Sequence, residues 1–210
     1  LNSKIDGKIN FKDNFYFDLS FDVNQVNLRK LFQDFAGSEN SQSPVSFNIS
    51  KKINGKAKVK IGRNETYFGR IDATNFILLF ENGDIKIKSG SISLGKNAKS
   101  KFAGSISGQG KDQKITFFIN FFAEDGKNFL KKLNMKTKDN NFSFSAIGTI
   151  NIMQKKIRFN NLTISEEKVQ GRNLSIVENY FNQYVIDDNP LGFFDFFVRA
   201  VVSTTGLRRR

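Results

Sequence analysis

Two adjacent carboxylate pairs, Glu166-Glu167 and Asp187-Asp188, are the residues best suited by type to acid–base chemistry. A glycosidase-type acid and base must flank one substrate bond with their carboxyls facing each other across it. Neighbours on a strand point to opposite faces, and both pairs sit among turn-forming residues, so they give that chemistry little support. The chain has no Cys and no His. This removes thiolate nucleophiles, disulfides, the usual general base and the commonest metal ligand. Proton transfer would fall to carboxylates, Lys or Tyr alone. No spacing matches an EF-hand, a phosphate loop or a nucleophile elbow. The glycine-rich stretch GQGKDQK at 108–114 leads into strand-forming residues, whereas a phosphate cradle needs a helix there. The expectation is a protein that is not an enzyme, with no catalytic residue, no metal and no cofactor.

Charge offers a second kind of chemistry. Thirty-three Lys and Arg against 20 Asp and Glu give a net charge of +13, spread over both halves of the 210 residues. Lys56, Lys58 and Lys60 alternate with Ala57, Val59 and Ile61. Such a row could hold phosphates, but it reads first as the water face of a strand, where Lys also guards against edge-to-edge aggregation. There are 24 Phe and no Trp. The phenylalanines share the apolar parity of their strands, whereas a base-stacking platform would put them beside the lysines, so nucleic acid is not expected as a partner. Arg208, Arg209 and Arg210 form a basic tail after the nearly all-apolar stretch 191–202. That stretch is too short to span a bilayer, which takes about 20 residues. It reads either as a helix plugging one end of a sheet or as an interfacial anchor whose arginines meet lipid phosphates.

The elements that would position these groups are mostly strands. FILLFENGDIKIK at 76–88 predicts a tight hairpin, because Asn82-Gly83 suits the two positive-φ positions of a type I′ turn. Its register sets Phe80 against Ile85 and Leu78 against Ile87 on one face, with Leu79 opposite Lys86 and Ile77 opposite Lys88 on the other. A greasy concave face and a partly solvated convex face are expected. Phe15, Phe17, Leu19, Phe21 and Val23 alternate with polar residues in the same way, as do Ile53 to Ile61, Ile115 to Phe121, and Phe142, Phe144 and Ile150. Parity shifts at Ser89-Gly90, which predicts a bulge or short turn. Gly-punctuated strands near Gly104 and Gly108 predict close backbone approach or a tight bend.

Helical spacing occurs in three places. Leu28, Leu31, Phe32 and Phe35 predict a short helix near 28–36, and Phe129, Leu130 and Leu133 one near 126–133 with Asp125 as its cap. Ser175 and Glu178 fit a capping box opening a C-terminal helix, with a second helix starting at Asn189-Pro190. A constant offset of 98 carries Phe17, Leu19, Phe21 and Val23 onto Ile115, Phe117, Ile119 and Phe121, so a weak internal duplication is expected. The organisation read from these patterns is a mainly β domain over 1–172, a curved antiparallel sheet forming an open groove with short helices between strands. Residues 173–210 follow as a helical cap of two helices with a basic tail.

The phrase VNQVNLRKLF, from Val23 to Phe32, closes an alternating strand and is followed by Gly-punctuated strands such as INGKAKVKI. In this the chain resembles the AsmA-like proteins of the bacterial envelope, TamB-like and YhdP-like members included. The resemblance covers most of residues 1–165. It implies a long curved sheet whose apolar groove holds phospholipid acyl chains, and a part in moving lipid between membranes. It further implies a place in the periplasm, as part of a longer polypeptide anchored in the inner membrane. The groove lining would then be Phe17, Leu19, Phe21, Leu78, Phe80, Ile85, Phe117, Phe121, Phe142 and Phe144, with Arg208, Arg209 and Arg210 at a membrane surface and envelope proteins as further partners. The rival reading of the same side chains is a structural or assembly module with a closed, dry core that acts through protein contacts.

Overall fold

The computed structural model describes residues 3–11, 15–25, 49–66, 69–94, 97–108, 112–132, 140–151, 154 and 156–184. Eleven strands form one sheet: β1 (Ser3–Asn10), β2 (Phe15–Gln25), β3 (Ile53–Thr66), β4 (Gly69–Ile71), β5 (Ala73–Glu81), β6 (Asp84–Ser93), β7 (Ala98–Ser107), β8 (Lys114–Ala123), β9 (Phe142–Asn151), β10 (Lys156–Ile164) and β11 (Glu167–Lys168). Helix α1 (Gly126–Lys132) lies between β8 and β9, and α2 (Gly171–Tyr184) follows β11. Apart from β4, which pairs β3 alone, spatial order follows chain order from β1 to β11. The predicted helices near 28–36 and after Asn189, and the arginines at 208–210, lie outside the described residues.

The central hairpin forms as its turn residues dictate. Asn82 and Gly83 have φ of 54° and 88°, and Phe80 faces Ile85 while Leu78 faces Ile87. One expected pair is displaced: Ile77 stands opposite Ser89, not Lys88, because a register shift falls between Ile77 and Leu78. The bulged residues re-aim β6, which also slips against β7 between Ile87 and Gly90. Most neighbouring strands are antiparallel, and the exception is β2 with β3, which are parallel from Phe15↔Ile53 to Gln25↔Arg63. Parallel neighbours cannot share a tight turn and need a crossover connection. The two strands related by the offset of 98 sit in different surroundings, β2 beside a parallel neighbour and β8 between two antiparallel ones.

The core gathers at the C-terminal half. Phe121, Phe142, Phe144, Leu130, Ile157, Leu162 and Val177 are all within 2 % of complete burial. Phe121 stacks on Phe144 at 5.3 Å and 18° and meets Phe129 of α1 at 4.7 Å. Each such side chain contributes about 1.5–3 kcal/mol by leaving water. Helix α1 starts where expected: the Asn128 N–H donates to Asp125 Oδ1 at 3.1 Å, and the Asn128 side-chain amide donates to Asp125 Oδ2. These bonds to the ionised form hold the Asp125 carboxyl below its ordinary pKa. A depressed carboxylate stabilises the fold above the ordinary carboxylate pKa, and that contribution is lost as pH falls through the lowered value. The protection of the Asn128 amide, its exchange rate set against the intrinsic rate at the same pH, will accordingly fall in acid, and Asp125→Ala will lower that protection at neutral pH as well.

Helix α2 departs from the capping-box expectation. It begins at Gly171, so Ser175 lies inside it and its hydroxyl donates to the Gly171 carbonyl at 3.4 Å. Glu178 has other work: its Oε1 accepts the N–H of Phe159 at 2.7 Å, while Asn182 Oδ1, one helical turn on, accepts the N–H of Ile157 at 2.7 Å. Both N–H groups point out of the sheet along the outer edge of β10. The adjoining stretch of that edge is covered by β11, with Val169 N–H donating to Leu162 O at 2.8 Å. This edge of the sheet is thereby finished, which removes a template for stray strand pairing. Glu178→Ala will strand the N–H of a 6 % exposed residue, Phe159, and cost about 1–3 kcal/mol, measurable by urea unfolding. Glu178→Gln keeps an acceptor and will cost less.

Candidate functional site

Strand register converts alternation into lanes that cross the sheet. One lane runs Ile9, Phe17, Gly55, Phe80, Ile85, Ile106, Ile115, Ile150 and Ile157 from β1 to β10. The next runs Gly7, Leu19, Ala57, Leu78, Ile87, Gly104, Phe117, Gly148 and Phe159. A third carries Phe21, Val59, Phe76, Phe102 and Ile119, and a fourth Val23, Ile61, Phe121 and Phe144. Nine strands at about 4.8 Å spacing make this apolar face roughly 38 Å wide. Only Thr74 and Ser100 break the fourth lane inside the sheet with hydroxyls; Ser100 Oγ donates to Asn120 O at 3.2 Å.

Glycines in these lanes are seats for aromatic rings. A Cβ on Gly148 would stand 2.6 Å from Cζ of Phe117, one on Gly90 2.3 Å from Cζ of Phe102, and one on Gly55 2.7 Å from the Phe17 ring. Each ring lies across the bare backbone of the neighbouring strand, and at Gly104, where close backbone approach was expected, an added Cβ would stand 2.4 Å from the Thr116 carbonyl oxygen. The face is therefore smooth: large side chains fill the gaps that glycines leave.

All ten predicted groove residues share this face, but they fall into two environments. Phe121, Phe142 and Phe144 are sealed beneath α1 in the close-packed core, at 0, 1 and 2 % exposure. Phe117 is half-buried, packs on that core and meets Phe159 edge-on at 5.9 Å. Leu19, Phe21, Leu78, Phe80 and Ile85 are half-buried on β2, β5 and β6, and Phe17 is buried against Phe80 at 5.2 Å. Of the ten, the half-buried residues of β2, β5 and β6 and Phe117 keep apolar surface within reach of a guest.

The opposite face carries the lysines, and the plain reading of the Lys row fits the register. Lys56 stands across from Asp18 and Lys60 from Asp22, with Lys60 Nζ 3.6 Å from the Asp22 carboxylate. At the hairpin Lys86 Nζ lies 2.6 Å from Glu81 Oε2, and that bond raises the Lys86 pKa above its ordinary value. A hollow of about 740 Å³ opens on this face, walled by Lys58, Lys60 and Lys101 over a floor of Asn75, Ser89 and Ser91. This hollow lies next to the bulge of β6. Two phenylalanines also break the expected parity: Phe118 and Phe122 sit on the lysine face, where Phe118 pairs with Ile147 at 37 and 43 % exposure. Alternation in β8 is apolar on both sides over TFFINFFA, so parity could not assign them.

Of the carboxylate pairs, Glu166 occupies a turn at φ 72° and Glu167 begins β11, both exposed; Asp187-Asp188 lies outside the described residues. Among the described residues no three acidic side chains gather as a metal site, and no helix is long and apolar enough to cross a membrane. The chain matches no protein-family model, and comparison with curated proteins and with solved structures finds no match to either.

Proposed function

We propose that this chain is a non-enzymatic lipid-binding module that shelters phospholipid acyl chains against its apolar face and passes lipid along a bridge in the bacterial envelope. The observation that carries this reading is the run of apolar lanes from β1 to β10, the first two of them unbroken, which α1 and α2 seal over the C-terminal strands. Over β2, β3, β5 and β6 the lanes keep half-exposed Leu, Phe and Ile side chains. An acyl chain lying there gains roughly 0.8 kcal/mol per methylene removed from water. The surface is continuous and nearly free of hydrogen-bonding groups, so a chain can slide along it without exchanging polar contacts. The lysine side, net positive, suits proximity to anionic lipid headgroups. A periplasmic position belongs to the same proposal.

A second reading, a structural or assembly module, is favoured by the C-terminal half, where Phe121, Phe142 and Phe144 already interdigitate with α1. The two readings separate on one measurement. Protein purified without detergent is extracted into organic solvent and analysed by mass spectrometry. Near-stoichiometric phospholipid is the expected result. A clean extract from folded protein that also takes up no fluorescent acyl lipid from vesicles would leave the structural module standing.

A further inference from the structure

The two ends of the sheet are treated differently. The β10 edge is finished by Glu178, Asn182 and β11, whereas β1 pairs with β2 alone among the described residues and all eight of its residues are exposed. Backbone chirality then fixes what β1 offers. On β10, residues of the apolar face such as Ile157 and Phe159 aim their N–H groups away from the sheet. Strand β1 runs opposite to β10 and lies at the opposite end. A half-turn about the sheet normal relates the two edges, so the apolar-face residues Ile5, Gly7 and Ile9 likewise direct N–H and C=O outward. Ile5 and Ile9 are 64 and 48 % exposed.

We propose that this edge is a homodimer interface, in which β1 pairs antiparallel with β1 of a second copy about a two-fold axis through Gly7. The partner is specified by the charge order of the strand itself. Ile5-Asp6-Gly7-Lys8-Ile9 is self-complementary in that register. Asp6 meets Lys8 of the other copy twice, on the polar face, and Ile5 meets Ile9 twice on the apolar face. Sliding by one pair sets Asp6 against Asp6 and Lys4 against Lys8, and like charges directly opposite are destabilising. A two-fold axis normal to the sheet keeps both apolar faces on one side, so the lanes run on from one copy into the next. The pairing stands on the edge geometry and the charge order, and it is independent of whether the lanes hold lipid.

Light scattering coupled to size-exclusion chromatography tests this on the full chain. The expected mass is that of two chains, and Asp6→Lys, which sets Lys against Lys twice, weakens association by about tenfold as two attractions become two repulsions. Lys8→Asp alone acts in the same direction. Mixing the two variants restores the dimer, because each clashing set then meets its opposite; circular dichroism confirms that both variants are folded. A monomer at all concentrations overturns the proposal, and so does a dimer indifferent to Asp6→Lys or a mixture that stays monomeric. In the first case the edge takes a strand from elsewhere; in the others the copies meet through another surface.

Discussion

Truncating Phe121 to alanine will lower the unfolding free energy by about 3–5 kcal/mol, the range for a large aromatic removed from a rigid core. The reason is its position where three elements meet. Its ring is fully buried, stacks on Phe144, and touches Phe142 and Phe129 at 6.0 and 4.7 Å. Strand neighbours cannot close the resulting void without breaking the register of Phe121 with Ser100 on one side and Phe144 on the other. Urea unfolding reads the loss directly. Phe122→Ala, one residue on and facing the lysine side, is the control and will cost less than half as much. Equal losses would mean that the two faces of β8 are equally packed.

Leu78→Glu will abolish retention of phospholipid, whereas Leu79→Glu will leave it intact. Both leucines are half-buried on β5. Leu78 lies in the second apolar lane between Ala57 and Ile87, where a carboxylate would interrupt the surface an acyl chain must cross. Leu79 faces the other way, between Lys56 and Lys86, and a glutamate there gains partners. Lipid bound per chain, from extraction and mass spectrometry, is the measurement. Leu78→Ala guards against misfolding by the charge: it will keep the fold and lower retention in part. Undiminished lipid in Leu78→Glu would remove this lane from the binding surface.

These two predictions fall on opposite halves of one continuous face, and the sequence does not separate the halves. Phe21 and Phe121 look alike in a list of alternating strands, yet one is half-buried and the other sealed. What differs is the covering: Phe129 and Leu130 of α1 and Val177 of α2 sit over the second. Helical spacing announced that α1 and α2 exist, and Asp125 was legible as a cap because capping is local. Where α2 docks was not legible. Its role at the β10 edge depends on Glu178 and Asn182 reaching two backbone N–H groups 19 and 25 residues earlier. A capping box at Ser175 competed for the same glutamate on paper, and the buried N–H of Phe159 won because leaving it unpaired costs more than an exposed cap returns.

The chain's own residues determined which side chains share a face, because a period of two assigns them whatever strand lies alongside, and they determined the Asn82-Gly83 turn, because only positive φ closes it. Tertiary structure decided that β2 and β3 run parallel, that β6 bulges beside its lysines, and which end of the greasy face is shut. Each of those outcomes is set by contacts between residues far apart in sequence, where local preference is silent and the balance of burial against unpaired backbone groups chooses.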